Sequence, residues 1–102
     1  MDIFSKVTGF DWDDGNKDKN LITHSVSCEE SEQAFFNIPI IVAEDSEHSI
    51  NEKRYHLYGQ TDSGRKLHIV FTIRALKIRV ISARDMSKKE RVVYDEEIKK
   101  DS

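Results

Sequence analysis

Lys88, Lys89 and Arg91 crowd the first turn of a helix in the stretch VISARDMSKKERVVY, Val80 to Tyr94. Aligned peptide dipoles already make that end of a helix positive, so each exposed cation there typically costs a few tenths up to about 1 kcal/mol. A phosphate would relieve the repulsion, because unpaired amide N–H groups and a positive dipole together form an anion site.

Other strings suggest chemistry and fail on inspection. GQTDSGRK has the outline of a phosphate-binding loop, but Arg65 and Lys66 replace its Lys-Ser/Thr pair and a strand follows where a helix is needed. DWDDGNKD has the carboxylates of a calcium loop, yet its glycine falls one place early and Ile22 stands where the bidentate acid belongs. Four histidines without tight spacing do not compose a zinc site. The lone Cys28 forms neither an internal disulfide nor a thiolate cluster and reads as a small buried hydrophobe. No Gly-x-Ser-x-Gly elbow occurs. The expectation is a protein with no metal or other cofactor.

Charge is sharply segregated along the chain. Residues 1–52 hold 3 basic and 12 acidic side chains, a net of −9, whereas residues 53–91 hold 11 basic and 3 acidic, a net of +8. Residues 92–102 add −2, so the overall −3 conceals a polarised molecule. Such asymmetry builds a positive surface that gathers phosphates, or else the two segments neutralise one another in the fold. With 102 residues, 37% of them hydrophobic, the chain suffices for one modest core and a single domain, 1–102. No apolar run approaches the ~20 residues of a membrane span and the N-terminus lacks a signal-peptide core, so the expected compartment is the cytoplasm.

The elements that position these residues follow from periodicity. VTGFDWDD reads as a short strand with Phe10 and Trp12 on one face. Asn16 caps a short helix through KDKNLITH, and Ser27 with Glu30 forms a capping box that starts a second helix, Cys28 to Phe36. After Pro39, IIVA gives a brief strand. Leu67, Ile69, Phe71 and Ile73 alternate as a buried face, as do Tyr55, Leu57 and Gly59. Opposing Leu57 to Ile69 leaves the three-residue loop Asp62-Ser63-Gly64, with glycine at the left-handed position. Opposing Phe71 to Ile78 leaves the two-residue turn Arg74-Ala75. The other face of this meander carries Arg54, His56, Tyr58, Gln60, Lys66, His68, Thr72, Lys77 and Arg79, with Val70 and Ile81 among them, and is basic and half-solvated. Ser87 with Glu90 starts a last helix, to about Lys100, that docks through Val93, Tyr94 and Ile98.

In sequence order, FDWDDGNKDKNLITHSVSCEESEQAF, EDSEHSINEKRYHLYG, FTIR and RVISARDMSKKERVVY resemble the signatures of the BrnT family of toxins. The resemblance covers Phe10 to Tyr94, and ISAR followed by KKER..Y is its most specific piece. It implies a fold similar to that of RelE toxins, an α+β domain with a small antiparallel sheet, short N-terminal helices and a C-terminal helix. It also implies a ribonuclease that arrests translation, paired with a BrnA-like ribbon-helix-helix antitoxin. Operator DNA would be reached only through that antitoxin. One departure stands at His24-Ser25, where the family usually has His-Gly and an easy left-handed helix terminator.

The positions matching family motifs are His24, Asp45, His48, Glu52, Arg54, Arg74, Arg84, Glu90, Arg91 and Tyr94. RNA cleavage without metal needs a base for the 2′-hydroxyl, cations for the phosphorane and an acid for the departing 5′-oxygen. Arg54 and Arg84 are the first choices for the phosphorane, with Arg74 third, since arginine does not surrender its proton. His48, in a polar loop, is the local candidate for acid or base, and Glu52 beside it completes the expected catalytic set, whereas His24 reads as structural. Lys66, Lys77, Arg79, Lys88, Lys89, Arg91 and Tyr94 are the expected RNA contacts. Arg84 and Arg91 have a structural alternative, pairing with Glu90 or Asp85, and Tyr94 has one as core. Two other functions use the same fold: a non-catalytic RNA-binding module, and a partner that only holds an antitoxin.

Overall fold

Three consecutive segments of alternating apolar residues build the centre of the sheet. In this computed structural model, which describes residues 3–100, the chain runs β1 (Gly9–Phe10), α1 (Lys19–His24), α2 (Cys28–Ala34), β2 (Ile41–Glu44), β3 (Arg54–Gln60), β4 (Lys66–Arg74), β5 (Lys77–Asp85) and α3 (Lys88–Lys100). The sheet order is β1-β5-β4-β3-β2. Only the β1–β5 pairing is parallel. The expected α+β class and antiparallel meander are present, widened by one short strand on each edge.

The β3–β4 hairpin follows the alternation directly. Leu57 pairs with Ile69, and Gly64 closes the Asp62-Ser63-Gly64 loop at φ +88°, with its N–H donating to the Thr61 carbonyl. The β4–β5 hairpin departs from the expected register. Phe71 faces Val80 and Ile73 faces Ile78, so the turn is Ala75-Leu76, not Arg74-Ala75. Both turn residues take positive φ, 52° and 64°, the conformation whose twist suits a two-residue hairpin. This offset keeps every apolar side chain on its face and moves only Leu76 into solvent. Beyond Phe71 the pairing shifts again, Val70 opposing Ser82, which leaves Ile81 as an extra residue in β5. That bulge reverses the alternation that follows. Ala83 therefore turns inward, and Arg84 joins the opposite face.

Leu57, Leu67, Ile69, Phe71, Val80 and Ala83 are fully buried on the inner face, with Val26, Ala34 and Phe35 in the same cluster. Burying each large apolar side chain stabilises the fold by roughly 1.5–3 kcal/mol. Phe35 anchors the cluster, its ring 5.1 Å from Phe71 and 5.3 Å from Phe10. Only glycine fits at position 59, since a Cβ there would lie 2.5 Å from the Ala34 carbonyl oxygen. The Ser27–Glu30 capping box forms as expected, although α2 ends at Ala34, short of Phe36. Ser25 supplies the left-handed terminator of α1, at φ 56°, without a glycine.

Asn16 does not cap α1. It is buried, and its amide donates to the carbonyls of Asp11 and Val80. Asn20 accepts from the Ala83 N–H, and Lys19 donates to the Ile81 carbonyl. These three side chains serve backbone groups of β5 beyond its short pairing with β1. At the C-terminal helix, Tyr94 is the docking residue, with no exposed surface, while Val93 stays 57% exposed.

Candidate functional site

The β2–β3 connection folds around Asp45. Its carboxylate accepts from both the backbone N–H and Nδ1 of His48, while its own N–H donates to the Arg54 carbonyl. Ser49 Oγ accepts from the Arg54 N–H at 3.0 Å. The loop thus presents His48, Glu52 and Arg54 beside Arg74 at the end of β4, around an open depression of about 400 Å³. Four of the five expected catalytic residues meet here.

Their states differ. Glu52 accepts two hydrogen bonds from Arg74, at 2.7 and 3.2 Å. Arg74's guanidinium, with the nearby charge of Arg54, holds the Glu52 carboxyl below the usual range, so Glu52 is ionised at neutral pH. Partial burial would raise the Asp45 carboxyl, but hydrogen bonds and charge from His48, with charge from His56, outweigh it and lower it. Asp45 is therefore an acceptor that fixes a His48 proton on Nδ1, so that the neutral form of the ring carries its lone pair on Nε2. Among the described residues, the Arg54 guanidinium makes no hydrogen bond or ion pair.

Arg84, the fifth expected catalytic residue, lies elsewhere. It pairs across the sheet with His68, four residue rows from Arg54, on the order of 13 Å along the strands. There it binds Glu90 of α3 through two hydrogen bonds, at 2.9 and 3.1 Å. Glu90 also accepts from the Ser87 N–H, so one carboxylate caps α3 and ties it to the sheet. The guanidinium lowers Glu90 to about 2. The structural alternative foreseen for Arg84 is the arrangement found.

The expected RNA contacts fall into three groups. Lys77, Lys88, Lys89 and Arg91 are exposed and have no ion-pair partner among the described residues. Lys66 pairs with Asp95, and Arg79 holds Asp13 through both guanidinium nitrogens with Asp11 behind it. Tyr94 is a packing residue whose hydroxyl donates to the Pro39 carbonyl at 2.6 Å, so it presents no group to RNA. His24 closes α1, and its carbonyl accepts from Arg65.

Sequence reasoning places His56 and His68 on the open face and gives them no role. They form a hydrogen-bonded pair, His56 Nδ1 lying 2.7 Å from His68 Nε2, and His56 Nε2 reaches Asp45 at 3.2 Å. Burial and the Arg84 cation push His68 down to about 4. The signal available in the sequence is their register, since on adjacent antiparallel strands His56 and His68 are diagonal neighbours on one face.

An antiparallel sheet with one packed face, and with an arginine beside an oriented histidine on the other, defines a small α+β protein equipped to handle phosphate charge and protons. Residues 12–90 match the family described as the ribonuclease toxin, BrnT, of type II toxin-antitoxin systems, and the chain belongs to that family. No curated protein matches it. Membership implies RNA as the substrate and an antitoxin as the partner. Among the described residues no helix is long and apolar enough to cross a membrane.

Proposed function

We propose that the chain is an endoribonuclease toxin that cleaves RNA by internal attack of the 2′-hydroxyl without a metal ion. In this reading it arrests translation in the cytoplasm until a small ribbon-helix-helix antitoxin similar to BrnA neutralises it. The observation that carries the proposal is the depression in which an Asp45-oriented His48 stands beside Arg54, whose guanidinium has no hydrogen-bond or ion-pair partner among the described residues. His48 Nε2 takes the 2′-hydroxyl proton as that oxygen bonds to phosphorus, the fixed charges of Arg54 and Arg74 stabilise the phosphorane, and the P–O5′ bond breaks with the departing 5′-oxygen protonated by water. Glu52, ionised and held by Arg74, orients that guanidinium and donates no proton. Lys88, Lys89 and Arg91 attract the RNA backbone at the start of α3, and Lys77 does so at the start of β5.

The test compares variants on one RNA, with folding checked by circular dichroism. His48→Gln and Arg54→Ala should each lower cleavage at least ~100-fold, the scale of removing one preorganised group. Arg84→Ala, at the far end of the face, is the comparison. A larger loss there with Arg54→Ala unaffected would move the reaction centre to the Arg84–Glu90 end. Salt-sensitive RNA binding with no cleavage would make the chain a binding module. Neither activity would leave antitoxin capture as its role.

A further inference from the structure

Three of the four histidines share one hydrogen-bonded path that runs from solvent into the protein. His48 is 63% exposed, Asp45 and His56 are partly covered, and His68 is only 8% exposed. Asp45 Oδ2 receives His48 Nδ1 at 3.0 Å and His56 Nε2 at 3.2 Å, and His56 Nδ1 meets His68 Nε2 at 2.7 Å. Both ring nitrogens of His56 are engaged.

The proton positions follow from the order of the groups. An ionised Asp45 only accepts, which places protons on His48 Nδ1 and His56 Nε2. A neutral His56 then offers Nδ1 as an acceptor, and His68 Nε2–H fills it. The two rings lie 9° from coplanar with centroids 5.0 Å apart. A nitrogen–nitrogen separation of 2.7 Å plus the two ring radii accounts for that spacing, so they meet edge to edge, with lone pair and N–H aligned. Tyr58 of β3 stacks on His68 at 4.8 Å. The charged and titratable groups facing His68 are Arg84 of β5, Glu90 of α3 and His56 of β3. Burial and then Arg84 favour its neutral form, which retains the Nε2–H.

We propose that His56 and His68 are positioning residues that lock the Asp45 carboxylate and, through it, hold His48 with its proton on Nδ1 and its lone pair toward the depression. The inference rests on the reading of His48 as the base, and it extends that site two side chains inward to groups that touch no substrate.

The experiment is a ¹⁵N measurement of the His48 tautomer across pH, together with pH profiles of kcat and KM on one RNA, for the parent, His56→Phe, His56→Gln and His68→Phe. The parent should show His48 as the Nδ1–H tautomer. His56→Phe should mix the tautomers and lower kcat about 10-fold with KM within about twofold. His56→Gln, whose amide donates to Asp45 and whose carbonyl accepts from His68, should recover most of the loss. His68→Phe should act in the same direction, more weakly. A His48 tautomer and a kcat that ignore both phenylalanine substitutions overturn the proposal, whatever happens to stability. Undiminished cleavage by His48→Gln overturns the reading of His48, and the proposal with it.

Discussion

At the scale of single residues, context separates side chains that look alike in the sequence. Arg54 and Arg84 both border apolar strands, yet among the described residues one guanidinium stands unpaired at the depression and the other is held by Glu90. A sequence shows that both cations exist. It does not show which has a carboxylate within reach, because that depends on where α3 returns. Arg65 makes the same point. It stands in the sequence where a phosphate loop would have its lysine, and in the fold it is a tie between Glu30, Asp85 and the His24 and Ser25 carbonyls. His68 gives a testable consequence in acid. Its folded value of about 4 lies below the ordinary 6.5, so the unfolded chain takes up the proton first as pH falls through that window. Stability is therefore lost from pH 6.5 down to about 4, by up to about 3 kcal/mol. Glu90, lowered to about 2 from 4.5, contributes fully above 4.5 and is lost as pH falls toward 2. His68→Gln should remove the first stage and leave the second. Denaturant unfolding at a series of pH values checks this, and an unchanged slope between pH 6.5 and 4.5 would contradict it.

Among the elements, legibility stops where a shift preserves parity. Alternation identifies the buried face of β5, but moving the β4–β5 register by two residues leaves that face intact, so apolar pattern alone cannot choose the turn. The bulge at Ile81 is hidden for a different reason. Ile81, Ser82, Ala83 and Arg84 offer no alternation strong enough to mark where the phase reverses, and that reversal is what brings Arg84 beside His68. Local side-chain signals are readable by contrast, and both capping boxes form as read from Ser27 with Glu30 and Ser87 with Glu90. The turn itself supplies a prediction. Ala75 and Leu76 occupy the left-handed region without being glycine, at roughly 1–2 kcal/mol per residue. Ala75→Asn with Leu76→Gly, the pair favoured for such turns, should stabilise the protein by about 1 kcal/mol and raise Tm by several degrees. An unchanged or lowered Tm would mean that the turn is relaxed as it stands.

For the molecule as a whole, the segregation of charge along the chain survives only in part. Arg65 binds Glu30, Arg74 binds Glu52, Arg79 binds Asp13 and Lys53 lies near Glu44, so basic strands neutralise acidic segments that precede them. The neutralising alternative considered for the sequence is thus realised for these cations. Lys77, Lys88, Lys89 and Arg91 remain without ion-pair partners among the described residues, and in the proposed reading they meet the RNA backbone. Lys88→Ala with Lys89→Ala should weaken RNA binding and flatten its salt dependence by roughly 0.7 for each phosphate no longer neutralised on a single strand, with turnover at saturating RNA little changed. An unaltered slope would assign these lysines to the antitoxin. In the proposed mechanism the side chains around His48 and Arg54 perform the cleavage themselves. Its most direct test is to incubate the isolated protein with RNA in EDTA and identify the new ends. Cleavage should leave a 2′,3′-cyclic phosphate and a 5′-hydroxyl, whereas a strict Mg²⁺ requirement or a 5′-phosphate product would rule that mechanism out.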